Sequence, residues 1–473
     1  MRTPLRRVRS RVGSAPRVPT RGDRSDAGSL PASPERRAAL AVLRDVRRGA
    51  RADESLARHA GRIDRRARPF LMELAYGAIR WRKRLRWELE RHLRKPAEAL
   101  PPDVLAILEL GAYQVRFMSG VPPWAAVDES VKLVRGETPP KVSRWAASVV
   151  NAVLRNLARA DPEPLPDGAD PVTRLAIEHS HPEWMIERWL ARHGLEATRA
   201  LLARDNLPPP LHLKVNRGRA EPADVVARLR EAGHDARLHA RKPDAVVIDA
   251  GAAPEALPGW SEGWFWVQDA GAQWVVEAAD PPREGWLLDA CAAPGGKLVG
   301  LLERAGGAVR ALALDADPAR LERVRESALR LGIEGARLAA GDARRPPTAA
   351  AFPLVLADVP CSGTGVLRRR VDARWRRRPD DLPRFAAFQR EVLEGLAERV
   401  AEGGVLIYAT CSLEPEENED VVNGFLAAHA EFRLDPIGAR VPAAIADGPW
   451  LVTRPWADDA DGMFAARLVR EAR

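Results

Sequence analysis

Three cysteines punctuate this chain, Cys291, Cys361 and Cys411, and each sits in a stretch whose neighbours point to chemistry. Their wide separation excludes the CxxC spacing of a zinc site, and an odd count argues against a disulfide framework, so no metal is expected. Cys361 follows an apolar run that ends in an acid, Ala357-Asp358-Val359-Pro360-Cys361-Ser362-Gly363-Thr364-Gly365. Cys411 follows a second such run, Ala409-Thr410-Cys411-Ser412. Both runs read as strands, which sets two thiols and the Asp358 carboxylate on one rim of a sheet. Alkylating carbon 5 of a pyrimidine needs this set of groups. That carbon attacks a methyl sulfonium only after a thiolate has added at carbon 6 and made an enamine. An acid group facing ring nitrogen 3 and the exocyclic amine balances the developing charge, and a base then strips the carbon-5 proton. Asp358 fits the acid group. Either cysteine has the type and place to attack.

Such a rim requires an open sheet. From about residue 263 strand-like runs at 286–289, 311–315, 336–339, 354–358 and 405–409 alternate with helical ones at 297–304, 318–331 and 383–401. Alternating units predict a Rossmann-like α/β domain with a parallel, doubly wound sheet over 263–473. Ligands bind such a sheet beyond the carboxyl ends of its strands. The first strand runs into Cys291-Ala292-Ala293-Pro294-Gly295-Gly296-Lys297, where a glycine pair opens a helix and frees backbone N–H groups for a ligand. The loop is neither a Walker motif nor GxGxxG. The second strand ends at Asp315, placed to accept both hydroxyls of a ribose, and the third at Asp342, placed to accept from an adenine amino group. Acids at successive strand ends, Asp289, Asp315 and Asp342, beside a glycine loop specify a nucleoside pocket.

The rest of the chain must present a substrate. Residues 1–34 are rich in Arg, Ser, Pro and Gly and predict a disordered basic tail. Residues 35–160 turn helical, with Ala39, Val42, Leu43 and Val46 at the spacing of one buried face. Two basic stretches lie there, 80–87 with Arg and Trp interleaved and 91–95; they fit either phosphate contact with base stacking or an ordinary amphipathic helix. A linker at 161–168 leads to a small α+β unit over 169–262, with helices at 182–193, 196–205 and 222–232 and strands at 211–216 and 245–248 in a βαβ-like arrangement. The 473 residues carry a formal charge of +9, mostly as arginine, which favours a nucleic-acid partner. The run Arg368-Arg369-Arg370-Val371-Asp372-Ala373-Arg374-Trp375-Arg376-Arg377-Arg378 lies on the active rim and reads as an RNA backbone contact. No apolar run approaches the roughly 20 residues that cross a bilayer, and no signal segment is evident, so a cytoplasmic protein without membrane contact, monomeric in preference, is expected.

At these motifs the chain resembles the Sun/Fmu (RsmB-like) family of bacterial ribosomal RNA cytosine-5 methyltransferases. The resemblance rests on Val267-Gln268-Asp269, on 289–297, on 358–365, on Thr410-Cys411-Ser412-Leu413-Glu414-Pro415-Glu416-Glu417-Asn418 and on Asp461-Gly462-Met463-Phe464. Residues 35–160 resemble the NusB-type RNA-binding domain that precedes the catalytic part in this family. The resemblance implies S-adenosyl-L-methionine as cofactor, held by residues 291–297, Asp315, Asp342 and Asp358, and ribosomal RNA as partner. It implies Cys411 as the attacking thiol and Cys361 as the group assisting proton removal or product release. Leu298, Val359 and Arg370-Val371 depart from the family pattern, the last in the substrate loop. The rivals are a non-catalytic NusB-like RNA-binding factor and a cytosine-5 methyltransferase acting on tRNA or DNA.

Overall fold

The computed structural model describes residues 31–472 apart from 163, 167, 250 and 252. The basic tail expected over 1–34 therefore lies outside the described residues up to residue 30. Its last residues already belong to the fold. Ala32 is buried, and the Ser33 N–H donates to Glu129 Oε2 at 2.8 Å.

Helices build the first unit: α1 (Pro34–Arg47), α2 (Ala52–Ala60), α3 (Arg68–Arg80), α4 (Arg82–Glu90), α5 (Pro102–Phe117), α6 (Pro123–Glu137) and α7 (Pro140–Arg159). Proline stands at the start of α1, α5, α6 and α7, where its missing N–H costs no intrahelical bond. The predicted stripe on α1 is buried, and α5 is buried almost all round as the central helix. The Arg/Trp stretch at 80–87 is used up by the fold. Arg80 is buried, Arg84 pairs with Glu88 at 2.9 Å, Arg86 with the fully buried Glu109 at 2.7 Å, and Trp81 stacks on Phe117. Of its two readings the amphipathic helix prevails.

Next come α8 (Pro171–His179) and α9 (Glu183–Asp205), the latter broken at Gly194, whose φ of +75° interrupts the helix where the two predicted segments part. Then follow β1 (Leu211–Val215), α10 (Pro222–Glu231), β2 (Ala236–His239), β3 (Lys242–Ile248) and β4 (Phe265–Val267), a four-stranded sheet in the order β2-β3-β1-β4. Two expectations are corrected here. The strand at 245–248 runs antiparallel to β1, because the unpredicted β2 precedes it as a hairpin partner. The small unit also reaches past residue 262, since β4 pairs with β1 and buries Phe265 in its core.

The last unit contains α11 (Ala270–Ala279), β5 (Gly285–Asp289), α12 (Gly296–Ala305), β6 (Val309–Asp315), α13 (Pro318–Leu331), β7 (Ala336–Ala340), β8 (Phe352–Asp358), α14 (Ala373–Arg376), α15 (Asp381–Ala397), β9 (Val400–Thr410), α16 (Glu419–Ala428), β10 (Phe432–Leu434), β11 (Ala446–Asp447), β12 (Trp450–Val452) and β13 (Phe464–Arg470). The predicted strands β9-β8-β5-β6-β7 are adjacent and parallel, with apolar layers on both faces. The sheet is nevertheless mixed. Antiparallel β13 lies against β9 and carries β12 and β10; the short connection from β12 to β13, with no helix in it, suits their antiparallel pairing.

Most of the arginine run at 368–378 departs from its expectation. The loop from β8 to α15 is threaded between the units, so the guanidinium groups of Arg368, Arg369, Arg374, Arg376 and Arg377 meet carbonyls and acids of the fold, while Arg370 and Arg378 stay exposed. Arg374 is fully buried and donates to the Arg80 carbonyl at 3.4 Å, the Ser180 carbonyl at 3.2 Å, Asn206 Oδ1 at 2.9 Å and the Asp205 carbonyl at 3.0 Å. Arg368 donates to the Leu207 and Pro208 carbonyls, and Trp375 Nε1 to the Ile79 carbonyl at 2.6 Å. Val371, one of the departures from the family pattern, is buried in the core of the helical unit. Arg374→Ala strands these acceptors, each worth about 1–3 kcal/mol when buried and unpaired. The expected result is a loss of about 4 kcal/mol, read as a lower urea midpoint.

Candidate active site

Two adjacent parallel strands bring the cysteines together. The register of β8 with β9 sets Asp358 opposite Ala409, so the loops that follow leave the sheet side by side. Cys361 Sγ lies 3.2 Å from Cys411 Sγ, and the Cys411 N–H donates to Cys361 Sγ at 3.3 Å. Cys361 is buried and Cys411 half-buried. The Cys411 thiol is held below its ordinary value by the hydrogen bond from Cys361, against the pull of burial, with the Arg370 and Lys297 cations assisting. The same hydrogen bond, then burial, pushes Cys361 well up. The shared proton therefore stays on Cys361. Cys411 is the better thiolate.

A buried carboxylate braces both loops. Glu417 accepts from the Ser362 N–H at 2.8 Å, from Ser412 Oγ at 2.6 Å and from Gln389 Nε2 at 3.0 Å, while the Ser362 and Ser412 hydroxyls lie 3.1 Å apart. Each serine is the neighbour of one cysteine, so Glu417 fixes the spacing of the sulfurs. The Pro-Glu-Glu-Asn motif is also tied to α9: Arg188 pairs with Glu414 at 2.8 Å and with Glu416 at 2.6 Å. Glycine is required at 365, because a Cβ there would lie 2.3 Å from the Gly462 carbonyl oxygen. Through that contact the Asp461-Gly462-Met463-Phe464 ending packs onto the cysteine loop. Asp461 and Asp269 share Arg369, at 2.6 and 3.0 Å.

Across the rim, Lys297 Nζ donates to Asp358 Oδ2 at 2.7 Å and lies close enough to Cys411 for its charge to be felt there. Glycine loop, carboxylate and thiol thus meet at one place. Asp289 is buried beneath them and pushed up to about 8 by burial first and the Asp358 charge second, so it holds a proton at neutral pH. Cys291, half-buried among the same acids, is pushed well up by burial first and their charges second. The loop 291–295 turns over α13, with Gly295 at a φ of +105° where a Cβ would press on Val324 at 3.2 Å. Asp315 accepts the Ala293 N–H on Oδ2 at 3.1 Å and the Asp317 N–H on Oδ1 at 3.0 Å, with Arg320 at 3.5 Å from Oδ1, which leaves acceptor capacity chiefly on Oδ2. The first turn of α12 has no side-chain cap, so its N–H groups remain for a ligand. Asp342 stands apart from this group. Its carboxylate is clamped by Arg344 at 2.7 Å, and Arg344 reaches on to Glu391 at 3.0 Å.

Sequence reasoning missed Glu417, the burial of Asp289 and the bond between Lys297 and Asp358. Glu417 and Asp289 lay inside quoted motifs, Asp289 as the acid that closes an apolar run, but their burial is a feature of the fold that no sequence signal gave.

A doubly wound sheet with a glycine loop and a strand-end acid on one side and paired cysteines on the other defines a methyltransferase that uses S-adenosyl-L-methionine. Comparison with known proteins agrees. Residues 276–469 match the family model for 16S rRNA methyltransferase RsmB/F, 33–159 that for the NusB family, and 181–253 the RsmF/B-like ferredoxin-like domain. Ribosomal RNA small subunit methyltransferase B of Cronobacter sakazakii is 33% identical over 92% of this chain and 98% of its own length. The protein of the same name from Pectobacterium atrosepticum is 34% identical over 87% of this chain and 92% of its own. Among solved structures PH0851 superposes with a TM-score of 0.76 over 94% of this chain and 100% of that one, at 23% identity. A methyltransferase homologue from Pyrococcus horikoshii does so with a TM-score of 0.55, at 24% identity, over 64% of this chain and 100% of its own. The chain belongs to the ribosomal RNA small subunit methyltransferase B family. No helix among the described residues is long and apolar enough to cross a membrane.

Proposed function

We propose that this chain methylates carbon 5 of a cytosine in small-subunit ribosomal RNA, as a monomer in the cytoplasm, with Cys411 as nucleophile. The observation that carries the reading is the thiol pair at 3.2 Å beside the Lys297–Asp358 pair. The substrate class draws on the names of the relatives and on the NusB-like unit. S-adenosyl-L-methionine supplies a methyl group on a sulfonium. The uncapped start of α12 suits its carboxylate and Asp315 its ribose hydroxyls; Asp342, clamped by Arg344, would have to give up that pair to reach the adenine.

Cys411 Sγ adds to carbon 6 of the flipped-out base, and carbon 5 gains the electron density with which it takes the methyl group. Lys297, held at Asp358, offsets the negative charge that thiolate addition drives onto ring nitrogen 3, and the Asp358 carboxylate accepts from the exocyclic amine. Once Cys411 is bonded to carbon it no longer accepts the Cys361 proton. The main cause of the raised Cys361 pKa then disappears, and Cys361 becomes competent as a base after the adduct has formed. Cys361 then gives up its own proton to water, its thiolate takes the carbon-5 proton, the C–H electrons restore the double bond between carbons 5 and 6, and the carbon–sulfur bond breaks with Cys411 leaving as the thiolate. The test is incubation of the enzyme with radiolabelled cofactor and, in parallel, naked 16S rRNA, small subunits, tRNA and duplex DNA. Label in rRNA, recovered as 5-methylcytosine after nuclease digestion, is expected. Label confined to tRNA or DNA would refute the substrate, and absence of transfer to any of them would leave only an RNA-binding factor.

A further inference from the structure

We propose that substrate RNA beyond the reacting cytosine is held along the exposed face of α7, with one unpaired base stacked on Trp124; this rests on RNA being the substrate. Helix α7 spans 20 residues and carries Lys141, Arg144, Arg155 and Arg159 without one Asp or Glu. Positions 141, 144, 148, 151, 155 and 159 advance by steps of three and four, which places them on one side of a helix. Ala146, Val150, Val153, Leu154 and Leu157 on the other side are buried in the core. The four cations are exposed, and none makes a side-chain hydrogen bond or ion pair among the described residues. They contrast with the arginines of the 80–87 and 368–378 runs, most of which the fold consumes. From Lys141 to Arg159 the stripe extends about 27 Å.

A groove of about 420 Å³ between α6 and α7 continues this face, walled by Trp124, Val131, Arg135, Asn151, Arg155 and Arg159. Trp124 is 74% exposed. The one carboxylate on the groove, Asp128, is neutralised by Lys132 at 2.8 Å. A bare indole among unpaired guanidinium groups suits a polyanion that also carries flat rings, which describes an unpaired RNA strand. A lipid surface does not fit, because the apolar side of α7 is already spent in the core. An acidic protein would use the charges and leave the indole unexplained.

The experiment uses the full chain with all four cations reversed (Lys141→Glu, Arg144→Glu, Arg155→Glu, Arg159→Glu) and, separately, Trp124→Ala. Binding to naked 16S rRNA is measured on filters across a KCl series, with circular dichroism to confirm folding. The four-charge variant is expected to bind at least about tenfold more weakly, with a salt slope shallower by about 3, from about 0.7 per lost phosphate contact. Trp124→Ala is expected to bind about tenfold more weakly with its slope unchanged. In both, KM for 16S rRNA rises while kcat holds, because nothing near the sulfurs has changed. Wild-type affinity and slope in the four-charge variant, or wild-type affinity in Trp124→Ala, overturns the proposal and gives the face to an acidic protein. A wild-type enzyme that methylates rRNA while the variants bind normally strikes this proposal alone; one that neither binds nor methylates rRNA removes the substrate reading beneath it.

Discussion

Cys411→Ala is expected to lower kcat by at least about 10⁴-fold and to leave no covalent RNA complex on a denaturing gel. Carbon 5 of cytosine has no other route to nucleophilicity, and loss of a covalent nucleophile costs up to about 10⁶-fold elsewhere. Cys411 is the half-exposed member of the pair and the one whose thiolate is favoured, so Cys361 cannot stand in from its buried place. A complex formed by Cys411→Ala and lost in Cys361→Ala would exchange the two roles. The pH profile is a second readout. A depressed Cys411 pKa means the thiolate is present at lower pH than for a free thiol, so the acidic limb of kcat/KM falls below the ordinary thiol range. A limb at or above that range would contradict the assignment of the proton to Cys361.

Cys361→Ala is expected to do the opposite with RNA: attack and methyl transfer occur once, the carbon-5 proton has no acceptor, and the adduct accumulates. A denaturation-resistant enzyme–RNA complex carrying labelled methyl should approach one per enzyme, while multiple turnover falls by about 10³-fold, the scale of a lost general base. The substitution also removes the first cause of the low Cys411 pKa, so the acidic limb moves up and less thiolate is present at a given pH. Wild-type turnover in Cys361→Ala would assign proton removal to another group. Mapping the complex to Cys411 by mass spectrometry closes the pair of experiments.

The catalytic half was legible because its elements are locally determined. Parallel strands buried on both faces read as continuous apolar runs, and β5, β6, β7, β8 and β9 fall at the expected places to within a few residues at most ends. Both cysteines and Asp358 could be assigned to one rim because a strand end fixes where the next residue emerges. The short antiparallel strands β2, β4 and β12 escaped, since three or four residues carry too little periodicity and their pairing is set by tertiary contact. Charge was the most misleading signal. A contiguous arginine run looks like a nucleic-acid surface, yet Arg369 and Arg374 face acids and carbonyls contributed by residues more than 90 positions away. The exposed cations of α7 are dispersed through an apolar helix and form no run at all.

The four acceptors that receive Arg374 have an implication for how the enzyme comes into being. The chain is made from its amino end, so the Arg80, Ser180, Asp205 and Asn206 groups emerge well before the residue that plugs them. Until residue 374 arrives, these groups lack the donor that meets them in the fold, and the loop bearing Cys361 lacks this anchor. Because Arg374 precedes Cys411 in the chain, the anchor of the loop bearing Cys361 is made before the attacking thiol itself.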